Sequence, residues 1–156
     1  MAYVPPKTFV NAYLALLRAW TTAPLSTCVF RKGPIQAYTP GSEPGLCIVE
    51  VAGLPTGEEP HASGNAWKHD WQLTVWLLVP DTEESPETAE DARLDLVNEF
   101  LSFMHANRTM GTGGTSGGVK VGRVTGCEFS VNTLFANTQQ VYRAAKMTVM
   151  YQTIKN

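Results

Sequence analysis

Histidine, paired cysteines and charge are all scarce in this sequence, and each shortage removes a class of function. Three histidines, His61, His69 and His105, are too few for most catalytic or metal constellations. Cys28, Cys47 and Cys127 are odd in number, widely spaced and never form C-x-x-C, so neither a zinc cluster nor a redox motif is indicated. Small buried thiols in a reducing cytoplasm are the expectation. Charged residues make up 17% of the chain and the formal net charge is −2, which gives no general drive toward nucleic acid or an anionic membrane. The most apolar run, LTVWLLV at 73–79, is far too short to cross a bilayer. FVNAYLALLRAW, at 9–20, is interrupted by Asn11 and Arg18 and reads as an amphipathic helix, not a signal core.

Glycine, by contrast, is concentrated. RTMGTGGTSGGVKVG (108–122) places Gly111, Gly113, Gly114, Gly117 and Gly118 within a few positions, with Lys120 behind them. A phosphate-binding P-loop needs its lysine directly after the last glycine and a hydroxyl after that; Val119 and Val121 occupy those places. The dinucleotide spacing fails at Ser116. Both motifs also follow a strand and open a helix, whereas here a helix ends before the stretch and a strand begins after it. A flexible, low-complexity tether is the reading, and no cofactor is expected.

The rest of the chain suits one domain, residues 1–156. Phe9, Tyr13, Leu16 and Trp20 recur at helical spacing, with a stripe of Ala12, Ala15 and Ala19 beside them. Residues 27–32 and 46–51 read as short strands, separated and followed by proline- and glycine-rich stretches read as long loops. Residues 67–79 form the strongest strand: Trp71, Leu73, Val75, Leu77 and Val79 alternate onto one face, while the other carries Gln72, Thr74, Trp76 and Leu78. A strand apolar on both faces is normally covered on both, so a partner subunit is one source of the second covering.

Seven of the fourteen acidic residues fall between Asp81 and Asp95. Ser85, Pro86 and the acids of the first turns suit a helix N-terminus. This helix runs to about His105, with Leu96, Phe100 and Phe103 on one stripe and Leu94, Val97, Leu101 and Met104 on an adjoining one, wider than a one-sided surface helix requires. Beyond the glycines, Cys127, Phe129 and Val131 alternate inward and Gly126 marks a bulge; Met147, Val149 and Tyr151 share one face of the last strand. The fold class expected is α+β: a mainly antiparallel sheet with two principal helices packed on it and long loops.

No catalytic signal emerges. His69 and Asp70 are sent to opposite faces of a strand start, and Glu58–Glu59 and Glu83–Glu84 sit in solvated contexts where carboxylate pKa tuning is hard to achieve. Lys120, Arg123, Arg143 and Lys146 form a basic cluster only if their strands pair, and lack the interleaved aromatics of a single-strand binder.

In layout, the chain resembles the tail terminator proteins of long-tailed bacteriophages. The resemblance lies in the N-terminal helix PKTFVNAYLALLRAW, the strand WQLTVWLLVP, the acid-capped helix SPETAEDARLDLVNEFLSFM, and the terminal strands at 121–132 and AKMTVMYQTI. It implies a non-enzymatic structural protein without metal or cofactor, forming a homo-oligomeric ring of six subunits. Such a ring caps the tail tube, stops its elongation and offers a head-joining surface. The implied partners are further copies of the chain, the tail tube protein and a head connector or neck protein. DNA passes through the lumen without specific binding, no membrane is involved, and the place is the virion's tail–neck region after assembly in the host cytoplasm. Under this resemblance Trp76, Leu78, Leu94 and Leu101 are subunit-interface candidates. The glycines at 111, 113, 114, 117 and 118 form an assembly loop, and Asp81, Glu83 and Glu84 are lumen acids. Alternatives are another neck or head-completion protein, a small hydrolase using His69 and Asp70, and a monomeric ligand-binding module, which requires an apolar pocket with a few convergent polar groups.

Overall fold

Helix α1 (Pro6–Ala19) turns Phe9, Val10, Tyr13, Leu14 and Leu17 into the core. That stripe is rotated from the expected one: Leu16 and Trp20 lie at its margin, only partly buried. The alanines at 12, 15 and 19 face outward. Trp20 instead hands its indole N–H to Glu99 at 2.8 Å and sets its ring edge-on to Phe103. This computed structural model describes residues 6–35, 44–60, 66–81, 86–110, 119–129, 133–134 and 141–155.

After α1 a short 3-10 turn (Leu25–Thr27) leads into β1 (Val29–Lys32), followed by β2 (Leu46–Gly53), β3 (Glu58–Pro60) and β4 (Trp67–Pro80). Then come α2 (Pro86–Ala106), β5 (Val119–Glu128), β6 (Thr133–Leu134) and β7 (Val141–Lys155). The strands form one sheet in the order β1-β2-β4-β7-β5, with β3 continuing along β4 and β6 along β7. Its centre is the ladder between β4 and β7, in register from Trp67 opposite Lys155 to Pro80 opposite Tyr142. The fold class is α+β, and every pairing is antiparallel except β1 with β2. Parallel neighbours need a crossover rather than a tight turn, which accounts for the length of chain between Lys32 and Leu46.

Both helices pack on one face of the sheet. Leu73, Val75 and Leu77 of β4 meet Ala145, Met147, Val149 and Tyr151 of β7 there, under Leu96, Phe100, Phe103 and Met104 of α2. Tyr151 anchors this layer: its ring lies edge-on to Phe9 at 5.2 Å and to Tyr13 at 5.5 Å, geometries that add about 0.5–1.5 kcal/mol each beyond area burial. The opposite face holds a second cluster of Ile35, Leu46, Ile48, Leu78, Tyr142 and Ala144, with Trp76 at its margin.

Three expectations change here. Glu58–Pro60, read as loop, is a strand paired with Trp67–His69. Cys127 and Phe129 are exposed instead of inward; Cys127 does lie on the helix-facing side, opposite Met147, but β5 is the sheet's outer strand, and α2 lines a hollow with it at Gly122–Val124. Leu78 has no exposed surface, because its own chain covers it, so it is withdrawn as a subunit-interface residue. Gly126 does mark a bulge, a register shift after Val124.

Candidate functional site

The side chains singled out for catalysis are occupied structurally. His69 is buried and its Nε2 lies 2.8 Å from Glu58 Oε1, which ties β3 to β4. Asp70 points to the other side, 3.6 Å from Lys68 Nζ and accepting from Gln152 at 3.3 Å. The two are therefore not a dyad. Glu59 reaches Lys68 Nζ at 2.7 Å, so both carboxylates of the Glu58–Glu59 pair hold the β3 hairpin. The stretch Gly114–Gly118 spells G-x-S-x-G around Ser116, the string of a nucleophile elbow. An elbow needs a strand before it and a helix after it; here α2 precedes and β5 follows, so the string lacks its context. Among the described residues no group of three or more His, Cys, Asp or Glu side chains is placed to hold a metal ion.

The basic residues do not gather either. Arg143 faces the helices, 3.2 Å from Asp81 and 2.9 Å from Glu90, while Arg93 reaches Glu90 and the carbonyl of Ala144. These contacts clasp the start of α2 to the centre of the sheet, and hydrogen bonds from Arg93 and Arg143 hold the Glu90 carboxyl below its usual range. Lys146 is on the other face, its ammonium 5.7 Å from the Trp76 ring. Arg123 is exposed on β5 opposite Met150. The side chain of Lys120 lies outside the described residues.

Asp81 is thus an ion-pair partner of Arg143 rather than an uncommitted lumen acid, and its side chain is only 15% exposed. Glu83 and Glu84, and all five assembly-loop glycines, lie outside the described residues. The flanks of that glycine stretch are nevertheless fixed, since the Gly122 N–H donates to the Arg108 carbonyl at 2.5 Å.

Among the described residues the exposed large apolar side chains are Val51, Trp67, Leu94, Leu101 and Phe129, and two of these lie on α2. One turn is about 3.6 residues, so Leu94 and Leu101, seven apart, share a flank, while Thr88, Ala92 and Asp95 lie on another. Leu94 and Leu101 are 45% and 43% exposed; the apolar arc read from the sequence is wider than the core that receives it. Just past the end of β5, Phe129 is 48% exposed, with the Arg93 guanidinium 4.8 Å from the centroid of its ring. Arg108 and Arg123 border a hollow of about 180 Å³ next to Leu101.

The other flank of α2 borders a cleft of about 550 Å³, lined by Pro24, Cys28, Gly45, Ala89, Ala92 and Asp95 among others. Small side chains and prolines leave this space unfilled, and its size falls within the roughly 300–1,000 Å³ of ligand pockets. Burial pushes the Cys28 thiol up to about 12, so its sulfur is an apolar wall and not a nucleophile at neutral pH. No motif marks this cleft in the sequence: its walls come from four separated stretches, and its cue is their content of small residues and prolines. Trp76 is half-buried on the second sheet face.

No described helix is long and apolar enough to cross a membrane. No protein-family model matches the chain, and no curated protein is similar to it in sequence.

Proposed function

We propose that the chain is a structural, non-enzymatic subunit of a phage tail terminator, assembling through head-to-tail contacts into a ring of six that caps the tail tube and meets the neck. The observation that carries this reading is the surplus apolar surface along α2, where Leu94 and Leu101 stay exposed on a helix whose other apolar residues fill the core. Surfaces of this kind mark association sites, and a heterologous contact that closes on itself makes a ring. The α+β sheet with two helices on one face is the architecture the resemblance implies. In this reading Trp76, Leu94 and Leu101 remain the interface candidates and the glycine stretch an assembly loop. Asp81 serves the helix–sheet clasp, so a lumen role falls to Glu83 and Glu84. Virion location, tube protein, neck protein and passing DNA belong to the same proposal.

Native mass across a concentration series, with electron microscopy of the largest species, tests it. A discrete species near roughly 100 kDa, about six times 17.0 kDa, with a central opening is expected. An open-ended ladder of sizes, or a species that stays monomeric throughout, counts against the ring.

The cleft beside Ala92 favours a second reading, a ligand-binding module, because it is apolar with Thr88 and Asp95 at its border. A monomer whose thermal midpoint rises with a small apolar ligand is the outcome that selects it.

A further inference from the structure

We propose that the outer side of α2 is a two-fold contact with a second copy of this chain, the two helices running antiparallel with Leu94 of each against Leu101 of the other. The contact stands on α2 itself and does not require the ring. The ring proposed above draws on the same two leucines, which cannot serve both contacts at once, so the pair is a form of the free subunit.

The first observation is the spacing of what α2 leaves outside. Glu87, Asp91, Leu94, Asn98, Leu101 and His105 are all exposed and follow one another at steps of four and three. On a helix this spacing makes one stripe, the pattern of a helix-pairing seam. It lies opposite Leu96, Phe100 and Phe103, which fill the core. The two sides of the helix are occupied within the subunit. Glu99 accepts from Trp20 beyond α1 on one, and Met104 borders the hollow with Gly122–Val124 of β5 on the other. The stripe between them faces away from the sheet.

The second is the order of charge along the stripe. It opens with the carboxylates of Glu87 and Asp91, carries its leucines in the middle and ends at His105. Arg108, exposed just past the helix, borders the same hollow as Leu101 and His105. Among the described residues none of Glu87, Asp91, His105 and Arg108 is in an ion pair, whereas Glu90 and Arg93 hold each other. A stripe acidic at one end and basic at the other repels a parallel copy and attracts an antiparallel one. With Leu94 opposite Leu101, the symmetry axis passes between Val97 and Asn98. Glu87 and Asp91 then lie beside Arg108 and His105 of the second copy, and the same contacts recur at the other end, as an isologous contact requires. Antiparallel helices also bring opposite dipole ends together.

The third is Asn98. It stands next to the axis, where the amides of both copies meet, and an amide is donor and acceptor at once. A single Asn within an apolar seam fixes the register of the pair.

Sedimentation equilibrium of the full chain from about 5 to 500 μM, the range in which so small a contact dissociates, is expected to show a species of about 34 kDa, twice 17.0 kDa. The variants alter exposed positions only, with circular dichroism as the check on folding. Leu94→Ser with Leu101→Ser should weaken the pair about thirty-fold or more. Glu87→Lys with Asp91→Lys makes both ends of the stripe basic and should weaken it about ten-fold or more. Adding His105→Glu and Arg108→Glu to that same chain exchanges the two ends, and the antiparallel pair should return. A chain that stays monomeric throughout overturns the contact. A dimer indifferent to the leucine or the charge changes overturns it too, as does one that the exchange fails to restore. A six-membered species with no dimer below it overturns the pair and leaves the ring standing. A dimer that obeys all three variants and never grows further keeps the pair and counts against the ring.

Discussion

The ring of Tyr151 lies directly over the backbone of Gly122, so that a Cβ added at Gly122 would sit 2.0 Å from Tyr151 Cε1. Atoms cannot share that space, and Tyr151 cannot swing away. It is buried among Phe9 and Tyr13, and its hydroxyl donates to the Asn107 carbonyl at 3.2 Å. Gly122→Ala is therefore expected to destabilise by about 1–3 kcal/mol or more, the cost of overpacking a filled core. Urea denaturation should show the loss, and replacing Tyr151 by Leu in the same chain should recover part of it, a coupling readable by a double-mutant cycle.

The three thiols should respond differently to an aromatic disulfide reagent. Cys127 is exposed, whereas Cys28 and Cys47 are buried. One thiol is expected to react in the folded protein at pH 8 and all three in denaturant. Two fast thiols in the folded state would mean that the Cys28 wall opens.

Alkaline pH should unfold the protein earlier than its charge alone implies. Burial raises the Cys28 thiol from 9.0 to about 12 and raises Cys47 and Tyr13 as well. Groups whose pKa is higher in the folded state contribute fully below their ordinary value, and that contribution falls as pH climbs from 9 toward 12. Melting temperature followed over that range should decline, and Cys28→Ala should make the decline shallower.

The Glu90 carboxyl has the opposite sign. Its pKa is lowered, chiefly by hydrogen bonds from Arg93 and then Arg143, so its contribution is present above 4.5 and is lost as pH falls through the lowered value. Arg143→Gln should lower stability at neutral pH and flatten the acid limb of a pH–stability curve. An unchanged acid limb would mean that the clasp between α2 and the sheet is not formed in solution.

Within the core, size should matter more than the hydroxyl. Phe103→Ala is expected to cost about 3–5 kcal/mol, as for other buried aromatics. Tyr13→Phe removes only a hydrogen bond to the Met104 sulfur at 3.2 Å and should cost under about 1.5 kcal/mol. Paired denaturation curves compare the two directly.

Local periodicity made much of this fold legible. The alternation Leu73–Val75–Leu77 and the acid-rich opening of α2 both appear where the sequence places them. What escaped depends on distant partners. Glu58–Pro60 is too short to carry a period and is a strand only because Trp67–His69 lies beside it. Cys127 has the right parity, but its exposure depends on β5 being outermost, which pattern alone does not reveal. The doubly apolar β4 suggested a missing subunit, yet Leu78 is covered by its own chain. The exposed flank of α2 was visible as excess width in its apolar arc, whereas the cleft opposite, built from four segments, had no signal to follow.

The β4–β7 ladder also dictates when the molecule can fold. β7 lies between β4 and β5 rather than at a margin, although residues 141–155 are translated after every other strand. During synthesis β4 has no long partner on that side, and its apolar run waits through α2 and the glycine stretch for β7 to arrive. Pairings of such wide sequence separation form slowly, and an unpaired apolar strand on a nascent chain is prone to aggregate. Chains halted before residue 141 should thus be substrates for chaperones and proteases, because it is β7 that turns β4 from an open apolar margin into the interior of the sheet.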